Sequence, residues 1–431
     1  MPFTHTSLAG FVWGVDELDR RQEILEALAQ NPLKTICRNP YRLSRKELWT
    51  LRMKQNLELL ELKMRLGWSA QHYLDALRIV CPDVASTSPN YRKLEADDLS
   101  TVFLKNLQAQ MSSEQQAYWI PKAQNFEICG TYAQTELGHG SNVREIETTA
   151  TFDAQTDEIV LNSPTLSSHK YWIGGLGVMA THTLVVARLI VSGKELGNHV
   201  FLVQVRDVQT HELVPNVHIY EQGEKTLGTF ASMDNGVMRF TNNRIPRSQM
   251  LAGYVRLDRD GTYHKSENKM HSYTSMVIVR GLMSREIGQD VSKAIVIALR
   301  YAAFRRQFNR KDGAETRVIE YASVRNRLFP ALCRAITMML VGREIRDQVE
   351  HLKDNNLENL HLQTVGVKVW ATERGVRDVE VARLSCGGHG NMAAAGLGSI
   401  YAQLSASRTY EGDNYVLSQQ IGNAVNKHWN K

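Results

Sequence analysis

The spacing of apolar residues changes its period twice along this chain, and that double change limits the folds open to it. Up to about residue 125 the apolar side chains recur at helical intervals. Ser44 and Glu47 form a capping-box pair before ELWTLRMKQNLELLELKMRLG, and Gly67 suits that helix's C-terminal end. Residues 97–118 show helical spacing again. From Cys129 to about residue 250 the runs become short and β-rich: TTATF, EIVLNS, HTLVVARLIV, HVFLVQVR and GVMRF. Turn residues separate them, as in AQTD at 154–157 and MDNG at 233–236. No helical run intervenes, so antiparallel pairing is expected. After about residue 270 helix returns. MVIVRGLMSREIGQDVSKAIVIALRYAAFRRQF reads as one long helix, VIEYASVRNRLFPALCRAITMMLVGREIRDQVEHL as a second in spite of Pro330, and LHLQTVGVKVWATERGVRDVEVARLS as a third, stopped by Gly387 and Gly388. The expectation is an α+β multidomain chain: an N-terminal helical domain (1–128), a middle antiparallel β-domain (129–255) and a C-terminal helical bundle (256–431).

Several function classes drop out early. Lys and Arg are scattered among Glu and Asp, so the net charge of +6 fits an anionic small ligand or cofactor and not a nucleic acid. No run of 18 apolar residues exists, so no transmembrane helix is expected. Acidic residues enter the N-terminus too early for a secretory signal. Cys37, Cys81, Cys129, Cys333 and Cys386 are odd in number, widely spaced and without a CxxC pair, which argues for a reducing compartment and against a disulfide framework or zinc site. The 14 histidines form no HExxH pattern.

Five short stretches carry candidate chemistry, each with a plain structural alternative. YAQTELGHGSN (132–142) is either a polar loop after a strand or a surface where small residues admit a planar ligand, with Thr135 as donor. KYWIGGLGVMA (170–180) holds a loose dinucleotide fingerprint, but a strand follows where that motif needs a helix; its structural alternative is a buried core Trp172 with the glycines making a turn. RRQF (305–308) is a solvated basic helix end, or Arg305 grips a pyrophosphate and Phe308 packs on a ring system. CGGHG (386–390) is a helix stop whose glycines could also lie flat against a cofactor. In TYEGDN (409–414), Glu411 is either a carboxylate at a helix N-terminus or a catalytic base.

Taken together and in this order, YAQTELGHGSN, ETTATFD, LNSPT, KYWIGGLG, MDNG, RIPR, RYAAFRRQF, CGGHG and YEGDN resemble the acyl-CoA oxidases, within the acyl-CoA dehydrogenase superfamily. The resemblance implies that family's fold of helical domain, β-domain and helical bundle. It implies FAD as cofactor and oxidation of acyl-CoA to trans-2-enoyl-CoA in fatty-acid β-oxidation or a related pathway, with molecular oxygen taking the electrons to give H2O2. Carried over by residue, it gives Thr135, Gly174, Arg305, Gln307, Phe308, Gly387 and Gly388 to the cofactor, Ser141 and Gly412 to the substrate, and Glu411 to the α-proton. Arg305 and Gln307 fall where the family grips FAD across a subunit interface, so a homodimer is implied. A peroxisomal location follows by resemblance, or otherwise a cytoplasmic one, since the C-terminal HWNK is no SKL-type signal. Two further readings stay open: a dehydrogenase with another electron acceptor, and a non-catalytic acyl-CoA-binding paralogue.

The sequence departs from the family pattern in three places. YWIGG stands for the common WWPGG, with Val178 for a lysine; Asn391 replaces an aromatic after CGGHG; and the usual second C-terminal helical domain is not seen, as in a short form.

Overall fold

The computed structural model describes residues 5–35, 37, 39–81, 102–265, 271–310, 313–351 and 357–429. The N-terminal part is helical: α1 (His5–Trp13), α2 (Val15–Gln30), α3 (Arg45–Leu66), α4 (Ala70–Val80), α5 (Val102–Gln110) and α6 (Ser113–Gln124). Local chemistry sets several boundaries. Ser44 and Glu47 make the reciprocal capping box of α3, and Gly67 closes that helix in the left-handed region at φ 65°. A second capping box, Ser112 with Gln115, splits the expected 97–118 stretch into α5 and α6. Residues 97–101 of that stretch lie outside the described residues.

Thirteen short strands follow among the described residues: β1 (Gly130–Ala133), β2 (Thr149–Asp153), β3 (Glu158–Asn162), β4 (Lys170–Ile173), β5 (His182–Val191), β6 (Lys194–Gln204), β7 (Val217–Glu221), β8 (Gly236–Phe240), β9 (Asn243–Pro246), β10 (Val255–Leu257), β11 (Tyr263–Lys265), β12 (Arg306–Asn309) and β13 (Glu315–Arg317). The main sheet runs β1-β5-β2-β3-β9, with β6 on the other edge of β5. A smaller sheet, β4-β8-β7, packs against it around Ala150, Ile159, Leu161, Val185, Phe201 and Met238.

The expected antiparallel pairing holds for most of the middle region, with two exceptions. β1 and β2 both lie parallel to β5, at Gly130↔His182 and Thr149↔Arg188 respectively. The two short strands share one edge of β5, so residues 134–148 between them are pushed out of the sheet. Nothing local forecasts this pairing, because the partners are 52 and 39 residues apart.

The C-terminal part is built on α7 (His271–Phe304), α8 (Ala322–Glu350), α9 (Leu357–Ser385), α10 (Leu397–Ala406) and α11 (Asn414–Trp429). Its core joins Ile287, Val291, Ile295, Leu328, Ala335, Met338, Ala371 and Val379. Pro330 sits inside α8, nine residues into the helix, without ending it. The long-helix reading of RRQF needs correction: α7 stops at Phe304, and Arg306–Asn309 is β12 of a hairpin with β13.

Candidate active site

Three loops of the β-rich part are bonded to one another, and two helices, α7 and α9, meet at the Glu411 turn. The chain leaves β1 through Gln134, Thr135 and Glu136, and a wholly buried ion pair fixes that exit. The Lys170 ammonium lies 3.0 Å from Glu136 Oε1 and also donates to the carbonyls of Gln134 and Val186, at 3.1 and 2.6 Å. Glu136 accepts in addition from the Thr148 hydroxyl and from the backbone N–H groups of Glu147 and Thr148. Burial pushes the Lys170 ammonium down to about 8, with Glu136 opposing, so the pair is ionised near neutral pH. The Tyr171 N–H donates to the Thr135 carbonyl at 2.9 Å, which sets the YAQT loop beside the KYWIGG loop.

MDNG, expected as a turn, is instead the lead-in to β8, with Gly236 its first residue. The Asp234 carboxylate accepts from the N–H groups of Val178 and Met179, and the Asn235 side-chain amide donates to the Trp172 carbonyl at 3.1 Å. These bonds hold Trp172 in the left-handed region at φ 67° with 56% of its surface exposed. A large aromatic presented this way on a fixed backbone is a platform for a flat ligand. Oδ1 of Asp234 and of Asn235, both buried, lacks a hydrogen-bond partner. A planar cofactor with polar edges therefore fits here. Thr135 is half-buried, Gly174 lies behind the platform against Met233, and Ser141 is exposed on the 134–148 loop.

Glu411 is half-buried and at φ 56°, a conformation few residues other than glycine adopt. Gly412 follows at φ 103°, with the Leu417 side chain 3.0 Å from where a Cβ would stand, so the backbone favours glycine there and the space beside it is tight. The helix-capping reading of Glu411 fails: Asp413 caps α11, its Oδ1 accepting from the N–H groups of Tyr415 and Val416. Loss of solvation raises the proton affinity of Glu411 above the usual carboxylate range, while Arg280 and Lys368 oppose that rise. Its charge reaches the phenols of Tyr132 and Tyr410, which burial has already pushed upward. Phe230, itself at φ 50°, packs against Tyr410 with ring centroids 5.9 Å apart.

The remaining sequence-derived residues form a second group. Arg305 follows the end of α7, Gln307 and Phe308 lie on β12, and Gly387 and Gly388 follow α9. Tyr301 and His389 join the two segments, with ring centroids 5.5 Å apart. Phe308 is 76% exposed at φ 62°, and the space around Gly387 and Gly388 is open. Asn391, the departure after CGGHG, has a use here: its side-chain carbonyl accepts from Arg383. Arg280, near the start of α7, touches the Glu411 carbonyl, and Arg305 comes 25 residues later. At about 1.5 Å per residue the two groups stand about 37 Å apart within one chain. Within one copy, Arg305 therefore does not come beside Glu411.

Sequence reasoning missed Arg280, Lys368 and the Glu136–Lys170 pair. Lys368 left one trace, a cation in the stripe Thr364, Lys368, Thr372 and Gly375, where small residues mark a buried helix face. Among the described residues there is no cluster fit to hold a metal, and no helix long and apolar enough to cross a membrane.

The chain is similar to known proteins over most of its length. Residues 5–129 match the family "Acyl-coenzyme A oxidase N-terminal", and residues 273–425 match "Acyl-CoA oxidase, C-alpha1 domain". The chain is 39% identical to peroxisomal acyl-coenzyme A oxidase 1 of Arabidopsis thaliana over 90% of its length, and 36% identical to the Homo sapiens protein of that name over 77%. It spans 59% and 51% of those two relatives. Arabidopsis thaliana acyl-CoA oxidase 1 superposes with a TM-score of 0.89 at 34% identity, covering 98% of this chain and 64% of the other. Caenorhabditis elegans acyl-CoA oxidase-1, solved with FAD and ATP, gives 0.89 at 35% identity, covering 98% and 63%. The folds agree from end to end of this chain, and by sequence and structure together it belongs to the acyl-CoA oxidase family.

Proposed function

We propose that this protein catalyses FAD-dependent α,β-dehydrogenation of an acyl-CoA, with Glu411 as the base that takes the α-proton. The observation that carries the reading is Glu411 itself: a carboxylate on a strained backbone, short of solvent, whose charge is felt at Tyr132, in the strand that leads to Thr135. The α-proton of a thioester is too weakly acidic for a free carboxylate. Desolvation raises the base toward it, and hydrogen bonds to the thioester carbonyl stabilise the developing enolate. FAD, when bound, supplies the acceptor for the β-hydride. Thr135 and Gly174 would hold the ring system of the cofactor, with Trp172 as its platform. Ser141 and Gly412 flank the path of the thioester.

Arg305, Gln307, Phe308, Gly387 and Gly388 would complete the site from a second copy, because the helix between the two groups is longer than the cofactor. A homodimer follows from this reading. Molecular oxygen is the proposed electron acceptor, and the peroxisome the proposed location, as for the relatives named above.

The purified protein is expected to carry flavin absorbance that bleaches on anaerobic addition of acyl-CoA, with oxygen uptake in air. Bleaching without oxygen uptake would point to another electron acceptor, and binding without bleaching to a non-catalytic protein. Arg305→Ala is expected to lower FAD occupancy through loss of a charge-assisted phosphate contact of about 2–3 kcal/mol. The flavin-to-protein ratio after gel filtration measures this, and an unchanged ratio would remove Arg305 from the cofactor site.

A further inference from the structure

Lys368 is wholly buried in the bundle, on the inner face of α9. Lysine is almost never buried without a partner, and one that only filled space would be better replaced by an apolar side chain. Here the ammonium donates to the Gly412 carbonyl at 2.6 Å and to Asn414 Oδ1 at 2.8 Å. The Asn414 amide reaches back to Thr372 Oγ1 and Glu373 Oε1, both at 2.9 Å. On the far side, Arg280 Nε donates to the Glu411 carbonyl at 2.8 Å.

Every residue from 411 to 414 is thus tied down, two of them by a carbonyl and two by a side chain. A left-handed non-glycine residue persists only where its surroundings over-determine it, and these bonds do so for Glu411. We propose that Lys368 is a positioning residue for proton abstraction, fastening the 411–414 turn to α9 so that Glu411 keeps the backbone conformation that aims its carboxylate. The inference rests on the reading of Glu411 as the base.

A second consequence concerns charge. The groups acting on Lys368 are Arg280 on α7, Glu411 and Asp413 in the turn, and Glu373 on its own helix. Lys368 and Arg280 both favour the ionised form of Glu411 against the burial that disfavours it. The ionised form accepts the proton, so activity falls as pH drops through the pKa of Glu411. Removing the lysine charge raises that pKa and moves the acid limb to higher pH.

The test uses the FAD-loaded protein and a 3-thia-acyl-CoA, which has no β-hydrogen to transfer. Exchange of its α-proton with deuterated solvent is followed by NMR against pH, beside thermal melting and flavin content. Lys368→Met is expected to slow exchange about tenfold to a hundredfold, as misplacement of a reacting group does. Its acid limb should rise by about half a pH unit or more. Asn414→Ala keeps the ammonium but loosens the turn, and should slow exchange without moving the limb. A folded, flavin-loaded Lys368→Met protein with parental rate or an unmoved limb overturns the proposal. If that variant does not fold, Asn414→Ala decides, and parental exchange there overturns it too. Glu411→Gln run in parallel separates the layers: parental exchange in that variant would sink the base assignment and not the role of Lys368 alone.

Discussion

Glu411→Gln is expected to leave the fold and cofactor content intact and to slow substrate-driven flavin reduction by about 10³-fold or more, the upper part of the range for losing a general base. Glutamine keeps the shape of the side chain and its capacity to accept a hydrogen bond, but it cannot hold the proton. The thermal melt should barely move, because the cap of α11 belongs to Asp413 and the turn is held through the carbonyls of residues 411 and 412. Rapid-mixing absorbance read beside a melt makes the distinction. A Gln variant that bleaches at close to the parental rate would mean that another group removes the proton. In the parent, the acid limb of flavin reduction should lie above the usual carboxylate range, because burial raises Glu411 more than Arg280 and Lys368 lower it.

The largest expected loss of stability is at Lys170. Lys170→Met leaves the Glu136 carboxylate buried with its ion-pair partner gone, at a cost of about 3–5 kcal/mol. The melting transition of the β-rich part should fall by several degrees, and flavin content with it, since the same pair sets the YAQT loop beside KYWIGG. Adding Glu136→Gln should recover much of the loss, because it removes the stranded charge. A single variant that melts with the parent would show that Glu136 finds water or another donor, and that the two loops are held by other means.

What was legible in the sequence was what acts over a few residues. The Ser44–Glu47 box and Gly67 mark α3 because each interacts within one turn of helix, and the AQTD turn separates β2 from β3 for the same reason. Pairing partners were not legible. β-rich runs without intervening helices suggested antiparallel order, but β5 is long enough to take two parallel neighbours end to end. The split was similar at the site. Glu411, Gly412 and Thr135 stand in short motifs, whereas Arg280 and Lys368 are ordinary basic residues in long helices. Only the packing of α7 and α9 against the 411–414 turn gives them meaning. RRQF read as helix because its composition continues that of α7; the β12–β13 pairing that ends the helix depends on residues 315–317.

The shared edge of β5 also sets an order of events when the chain folds. Each hairpin of the middle region, β2–β3 or β5–β6, can form from neighbours in sequence. Neither β1 nor the β2–β3 hairpin can join the main sheet until β5 exists, and closing loops of that length costs entropy that no nearby contact repays. The 134–148 segment takes its shape only after both closures. A newly made chain could therefore have its helical bundle, with Glu411 already fastened, while the opposite wall of the site was still unformed. Retention of a tightly held cofactor would then report that the last long-range step was complete, and its slow uptake would time that step.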